Sequence, residues 1–171
     1  MYSWRITKFD PTLRNDNGAF KYDEWTSVSD IHKKFNNIEL TLESYISAEN
    51  AYVNAIMLMM RSNSVDFFKI SDLEKRGYDY LDEIGLDTDR KLLSILKDKD
   101  SISKNDIDKV ARLILREQMW CKLSNSSMFV HFGYDYYMYI GCCEKSQIEL
   151  EAIRKSGLFV EEMESPYNNR E

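Results

Sequence analysis

The stretch Met128–Cys142, "MFVHFGYDYYMYIGC", decides the fold. Its two halves, "MFVHF" and "YYMYIG", are short and rich in aromatic and β-branched residues, and "GYD" lies between them. That is the pattern of a β-hairpin closed by a short glycine-containing turn. Side chains alternate across a strand. Tyr136, Met138 and Ile140 therefore share one face of the second strand, and Tyr137 and Tyr139 share the other. On the first strand Phe129 and His131 oppose Met128, Val130 and Phe132. Both faces carry apolar weight, so something must cover each of them.

Outward from the hairpin, the period changes to that of helices. "EKSQIELEAIRKSG" reads as a helix with Ile148, Ala152 and Ile153 on one side, and "LFVEEME" as a closing strand. On the other side, "SKNDIDKVARLILREQMWCKL" reads as a long helix capped by Ser103, with Ile107, Val110, Ala111, Ile114, Leu115 and Met119 on its apolar face. "TDRKLLSILKD" is a further helix. The spacing Ser71–Glu74–Gly77 predicts a short capped helix, after a short strand at "VDFFKI". The clearest helix begins after Thr41 and carries Tyr45, Tyr52, Val53, Ile56 and Met60 at three- and four-residue steps. "YSWRITKF" opens the chain as a strand, and residues 10–20 form a loop. Ser27 or Ser29 caps a short helix that ends at Asn36–Asn37. The fold class is α+β: a small, mainly antiparallel sheet with a C-terminal β-hairpin, packed against several helices. The 171 residues form one domain, 1–171, with 166–171 a short tail.

Composition narrows the function. A net charge of −6 argues against direct nucleic-acid binding, which needs clustered lysine and arginine, and permits a basic protein partner. The longest apolar run, "AIMLMM", is too short to cross a membrane. The first ten residues lack the apolar core of a signal peptide. The three cysteines, two of them adjacent, suit reduced thiols. The expected location is the cytoplasm.

No cofactor or metal is expected. "KDKDSISKNDID" resembles a calcium loop at a glance. Counted from Asp98, it puts Ile102, Ser103 and Lys109 where a carboxylate, a glycine and a glutamate are needed. No zinc spacing and no phosphate-binding glycine loop occurs. For catalysis the candidate assembly is His131 with Asp135, flanking the hairpin turn, with Cys121 or Cys142 as nucleophile. For binding it is Tyr137 and Tyr139, beside the acids of "VEEME" (Glu161, Glu162 and Glu164) and near Asp135. Acids next to amphipathic rings can steer and hold a basic protein.

The segments "SWRITK", "DEWTSVSDI", "VHFGYDYYMYIG" and "GLFVEEMESPY" together resemble small acidic bacterial toxin-immunity proteins, those of contact-dependent growth inhibition above all. The resemblance implies a protein that binds one cognate toxin, often a nuclease, and blocks its active site or substrate-binding surface. It transfers no individual residue. Two alternatives stand beside it. One is a small hydrolase or nuclease using His131 and Asp135. The other is a self-associating structural or regulatory module.

Overall fold

The computed structural model describes residues 1–76, 81, 86, 89–145 and 147–168. The quoted hairpin is the centre of its main sheet. β7 (Met128–Phe132) and β8 (Met138–Cys142) pair antiparallel, with Val130 opposite Ile140. β1 (Tyr2–Thr7) joins the outer edge of β8, and β9 (Phe159–Glu162) joins β1. On the other side, β6 (Met119–Ser124) pairs with β7, β4 (Phe67–Lys75) with β6 and β5 (Ser101–Ser103) with β4. The result is a seven-stranded antiparallel sheet in the order β5-β4-β6-β7-β8-β1-β9. A separate two-stranded hairpin joins β2 (Lys34–Phe35) to β3 (Ile38–Glu39).

The fold is α+β, as the residue pattern implies, with a larger sheet than the sequence suggests. Four helices accompany it among the described residues: α1 (Leu42–Ser62), α2 (Arg90–Ile95), α3 (Ile107–Leu115) and α4 (Gln147–Lys155). Thr41 caps α1 by accepting from the Ser44 backbone N–H, and Asp89 caps α2 in the same way through Leu92.

Several elements depart from the sequence reading. Ser71 and Glu74 lie within β4, where pairing to β6 overrides the local capping signal; Gly77 lies outside the described residues. α3 ends at Leu115, and Met119 onward is strand: Glu117 takes a left-handed φ of 59°, which stops the helix. Ser103 ends β5, four residues before α3 begins. Asn36 and Asn37, with φ of 50° and 65°, form the turn of the β2–β3 hairpin instead of ending a helix. Ser27 does cap a short turn, the 3-10 helix Val28–Asp30, with a reciprocal bond from Asp30. On α4 the buried residues are Leu150 and Ile153, and Ile148 is exposed.

One face of the sheet presents Trp4, Ile6, Met138, Ile140, Val130, Leu123, Ile70 and Phe68, all nearly inaccessible, to the helices. α1 carries most of the opposing surface through Tyr45, Tyr52, Ile56, Met59 and Met60. A charged cluster lies within this layer. Glu49 of α1 has no exposed surface, and its carboxylate accepts from the guanidinium groups of Arg112 and Arg116. Taking a carboxylate out of water is costly, and bonds of this kind offset that cost.

No described helix covers the opposite face. A cross-strand row runs along it: Ser71, Lys122, His131, Tyr139, Arg5 and Glu161. Two irregular segments lie over this row. The loop after β1 brings Phe9 to 5.6 Å from Tyr137 and Arg14 onto Glu161. After β9 the chain crosses back: Met163 N–H donates to the Ser3 carbonyl, and Ser165 meets His131. Tyr167 packs its ring within 5.8–6.4 Å of Trp120, Tyr139 and His131. The covered face also explains Gly141. The ring of Phe129 lies across it, so a Cβ there would sit 2.0 Å from a ring carbon.

Candidate functional site

The connection between β7 and β8 is five residues long, Gly133–Tyr137, not the three of "GYD". Asp135 and Tyr136 both take left-handed backbone angles, with φ of 55° and 60°. Such a φ is unusual for a bulky residue and must be held by its surroundings. Tyr136 is held at both ends. Its carbonyl accepts from Tyr52 Oη at 2.6 Å, and its own hydroxyl donates to the Leu115 carbonyl at 2.9 Å. Trp25 packs edge-on against its ring at 4.8 Å, and Tyr45 Oη lies 3.2 Å from its hydroxyl. Tyr52 Oη also accepts from the Lys8 backbone N–H at 2.8 Å, which ties β1 to the same cage. Burial raises the pKa of Tyr45, Tyr52 and Tyr136, so these hydroxyls stay protonated.

Beside this loop lies a cavity of about 410 Å³. Its floor is closed by Ile114, Leu115, Met119, Phe132 and Met138, each 6% exposed or less. Aromatic side chains wall it: Trp120, Tyr137 and Tyr167, half-buried, and Tyr134, which is 77% exposed. Among the described residues the charged lining is Glu74, Glu117 and Asp135 with a single cation, Arg76. None of these four forms an ion pair among the described residues. Three of the lining residues, Glu117, Asp135 and Tyr136, are the ones with left-handed backbone, so the chain is bent out of its ordinary range where it shapes this mouth.

The catalytic pairing expected of His131 and Asp135 does not form. His131 is 5% exposed, stacks on Phe129 at 4.5 Å, and bonds through Nδ1 to Ser165 Oγ at 2.8 Å. Burial, reinforced by Lys122, pushes its pKa down to about 4. Asp135 sits exposed on the turn. Neither Cys121 nor Cys142, the two thiols considered as nucleophile, is set up to complete the assembly: both are buried. Burial raises Cys121 to about 12, and the Cys142 thiol donates to the Glu144 carbonyl at 2.9 Å. All three cysteines are free thiols. Among the described residues no group of three or more ligating side chains could hold a metal. No helix of the described residues is long and apolar enough to cross a membrane.

Of the expected binding residues, Tyr137, Tyr139 and Glu161 do share one sheet face. Tyr139 is buried there under Tyr167. Tyr137 lies beneath two guanidinium groups, Arg5 at 5.1 Å and Arg14 at 5.9 Å. Both arginines chelate Glu161, at 2.8–3.0 Å. Burial alone would raise the Glu161 pKa, but the bonds from Arg14 and Arg5 outweigh it and hold it low. Glu162 faces the other way and pairs with Lys145 at 2.6 Å. Glu164 is exposed beyond the end of β9. The acids of "VEEME" are therefore partly consumed within the molecule, and the cations come from distant segments that the local sequence does not reveal. Sequence reading missed Glu74, Glu117 and Tyr134. The one local signal for any of them is the aromatic run after Gly133.

No protein-family model, curated protein or solved structure matches this chain.

Proposed function

We propose that this chain is a non-catalytic binding protein that neutralises a basic protein by covering its working surface. On the resemblance drawn from its sequence, the partner is a bacterial toxin, a nuclease of the contact-dependent growth inhibition kind, met in the cytoplasm. One observation carries the reading: the aromatic cavity beside the 133–137 loop has three carboxylates, Glu74, Glu117 and Asp135, with no ion pair among the described residues. Unpaired carboxylates grouped around exposed rings suit contact with lysine and arginine, the residues by which a nuclease holds phosphates. The interface then centres on Asp135 and Tyr134, with Glu164 at its periphery.

The test is protection. The chain is co-expressed with the product of the neighbouring gene, and host survival is scored. Survival is expected, together with a complex whose association slows about tenfold or more between low and high salt. RNA or DNA cleavage by the purified chain, abolished by His131→Ala, would replace this reading with a catalytic one.

A further inference from the structure

We propose that the cavity is a socket for one arginine side chain presented by the partner. This inference rests on the binding reading above and specifies its chemistry. The first argument is what the cavity exposes. Its floor residues are already sealed, so the hydrocarbon still open to water belongs mainly to the aromatic walls, and a ligand must cover ring faces while meeting the acids beside them. What remains accessible is ring surface from Trp120, Tyr134 and Tyr167 and the carboxylates at the mouth. A guanidinium meets both demands. It is planar and weakly hydrated, stacks on aromatic faces and donates to carboxylates in the ring plane.

The second argument is charge. Among the described lining residues three carboxylates stand against the single guanidinium of Arg76, and even with Lys8, which acts on Asp135 from outside the lining, negative charge is in excess around the mouth. The molecule uses the same recognition chemistry elsewhere. On the covered sheet face, Arg5 and Arg14 lie over the Tyr137 ring while bound to Glu161. There the fold supplies its own arginines; at the cavity the rings and acids are present and the stacked cation is not supplied by the described residues. The third argument is rigidity. Tyr136 is clamped by Tyr52 and Leu115, so the loop bearing Tyr134 and Asp135 is set before a ligand arrives.

The experiment titrates the full chain, labelled with ¹⁵N, with N-acetyl-arginine-methylamide and, separately, with the lysine and norleucine equivalents. The Trp120 indole N–H and the backbone amides of Glu117 and Tyr134–Tyr137 report on the site. Saturable shifts with the arginine probe are expected at a Kd of about 1–10 mM, weaker with lysine and none with norleucine. The Glu117→Gln, Asp135→Asn double variant is expected to weaken binding about fivefold or more. Asparagine tolerates a left-handed φ, so the loop survives the change. Equal shifts from norleucine, no saturation by about 50 mM, or undiminished binding by the double variant would each overturn the socket. The two proposals fail separately. A basic partner that binds the double variant at full strength keeps the binding reading and removes the socket. An arginine probe that binds, with no basic partner, keeps the socket and removes the binding reading.

Discussion

Gly141→Ala is the sharpest test of the packing on the covered face. A Cβ at this position would lie 2.0, 2.4 and 2.7 Å from three carbons of the Phe129 ring. Carbon atoms in ordinary contact stay about 3.5–4.0 Å apart, so the ring must retreat by about 1.5 Å. β7 and β8 fix the backbone on both sides, with Phe129 directly opposite Gly141. The ring must therefore leave its place. It would lose its stack on His131 and much of its burial, since it is now only 8% exposed. We expect a loss of about 2–4 kcal/mol, from overpacking and re-exposed ring surface together. In a domain of this size that lowers Tm by roughly 4–16 °C. The assay is urea denaturation of four proteins: the wild type, Gly141→Ala, Phe129→Ala and the double variant. With the ring removed, the added methyl has room, so Gly141→Ala should cost about 0.5 kcal/mol or less in the Phe129→Ala background. A single-variant loss within about 0.5 kcal/mol of zero, or the same loss in both backgrounds, would refute the argument.

Three further outcomes follow from the described contacts. His131 has a folded pKa of about 4 against an ordinary 6.5. The unfolded chain therefore binds the proton more readily, and stability falls as pH drops from about 6.5 to 4, by about 3 kcal/mol in all. Denaturation midpoints across that range should lose this component in His131→Gln. Glu49→Gln leaves Arg112 and Arg116 without their buried carboxylate and should cost about 3–5 kcal/mol by chemical denaturation. Tyr52→Phe removes one hydroxyl that serves both the Lys8 N–H and the Tyr136 carbonyl. It should cost about 2–3 kcal/mol and loosen the 133–137 loop, visible as faster amide exchange at Tyr136 and Tyr137.

The strands were legible where alternation and β-rich composition coincide, even in β7 and β8, which are buried on both faces. Met138 and Ile140 share a face as the alternation implies, and "YSWRITKF" is the strand it reads as; Trp4 and Ile6 face the same core. Thr41 and the apolar stripe after it read correctly because capping and periodicity are local. Misreadings arose where a distant partner outweighed local preference. Ser71 and Glu74 satisfy a capping rule, yet β6 supplies strand partners to both of them, across a local irregularity. The helix through Arg116 reads as continuous over "SKNDIDKVARLILREQMWCKL", since Glu117 carries no signal for a left-handed φ. The candidate site was half visible. Asp135, Tyr137 and the hairpin were found from the quoted stretch alone. That Arg5 and Arg14 quench Glu161 could not be, because 147 residues separate Arg14 from its carboxylate. Nor could the cavity, whose lining runs from Thr26 to Tyr167.

The place of β1 in the sheet has a consequence for how the chain folds. This strand, near the beginning of the sequence, is enclosed between β8 and β9, near its end. Its partners begin at Met138, so on the ribosome Trp4 and Ile6 must wait for more than a hundred further residues before they can be covered. Sheet closure is therefore a late, long-range event, and loop-closure entropy makes such events slow. Until β8 has emerged the nascent chain carries an unpaired apolar strand, the condition under which chaperones are engaged and aggregation competes. Moving residues 1–8 behind β9 through a short linker, as a circular permutant, would make the β1–β9 pairing local. Refolding of that permutant should be faster than that of the natural order.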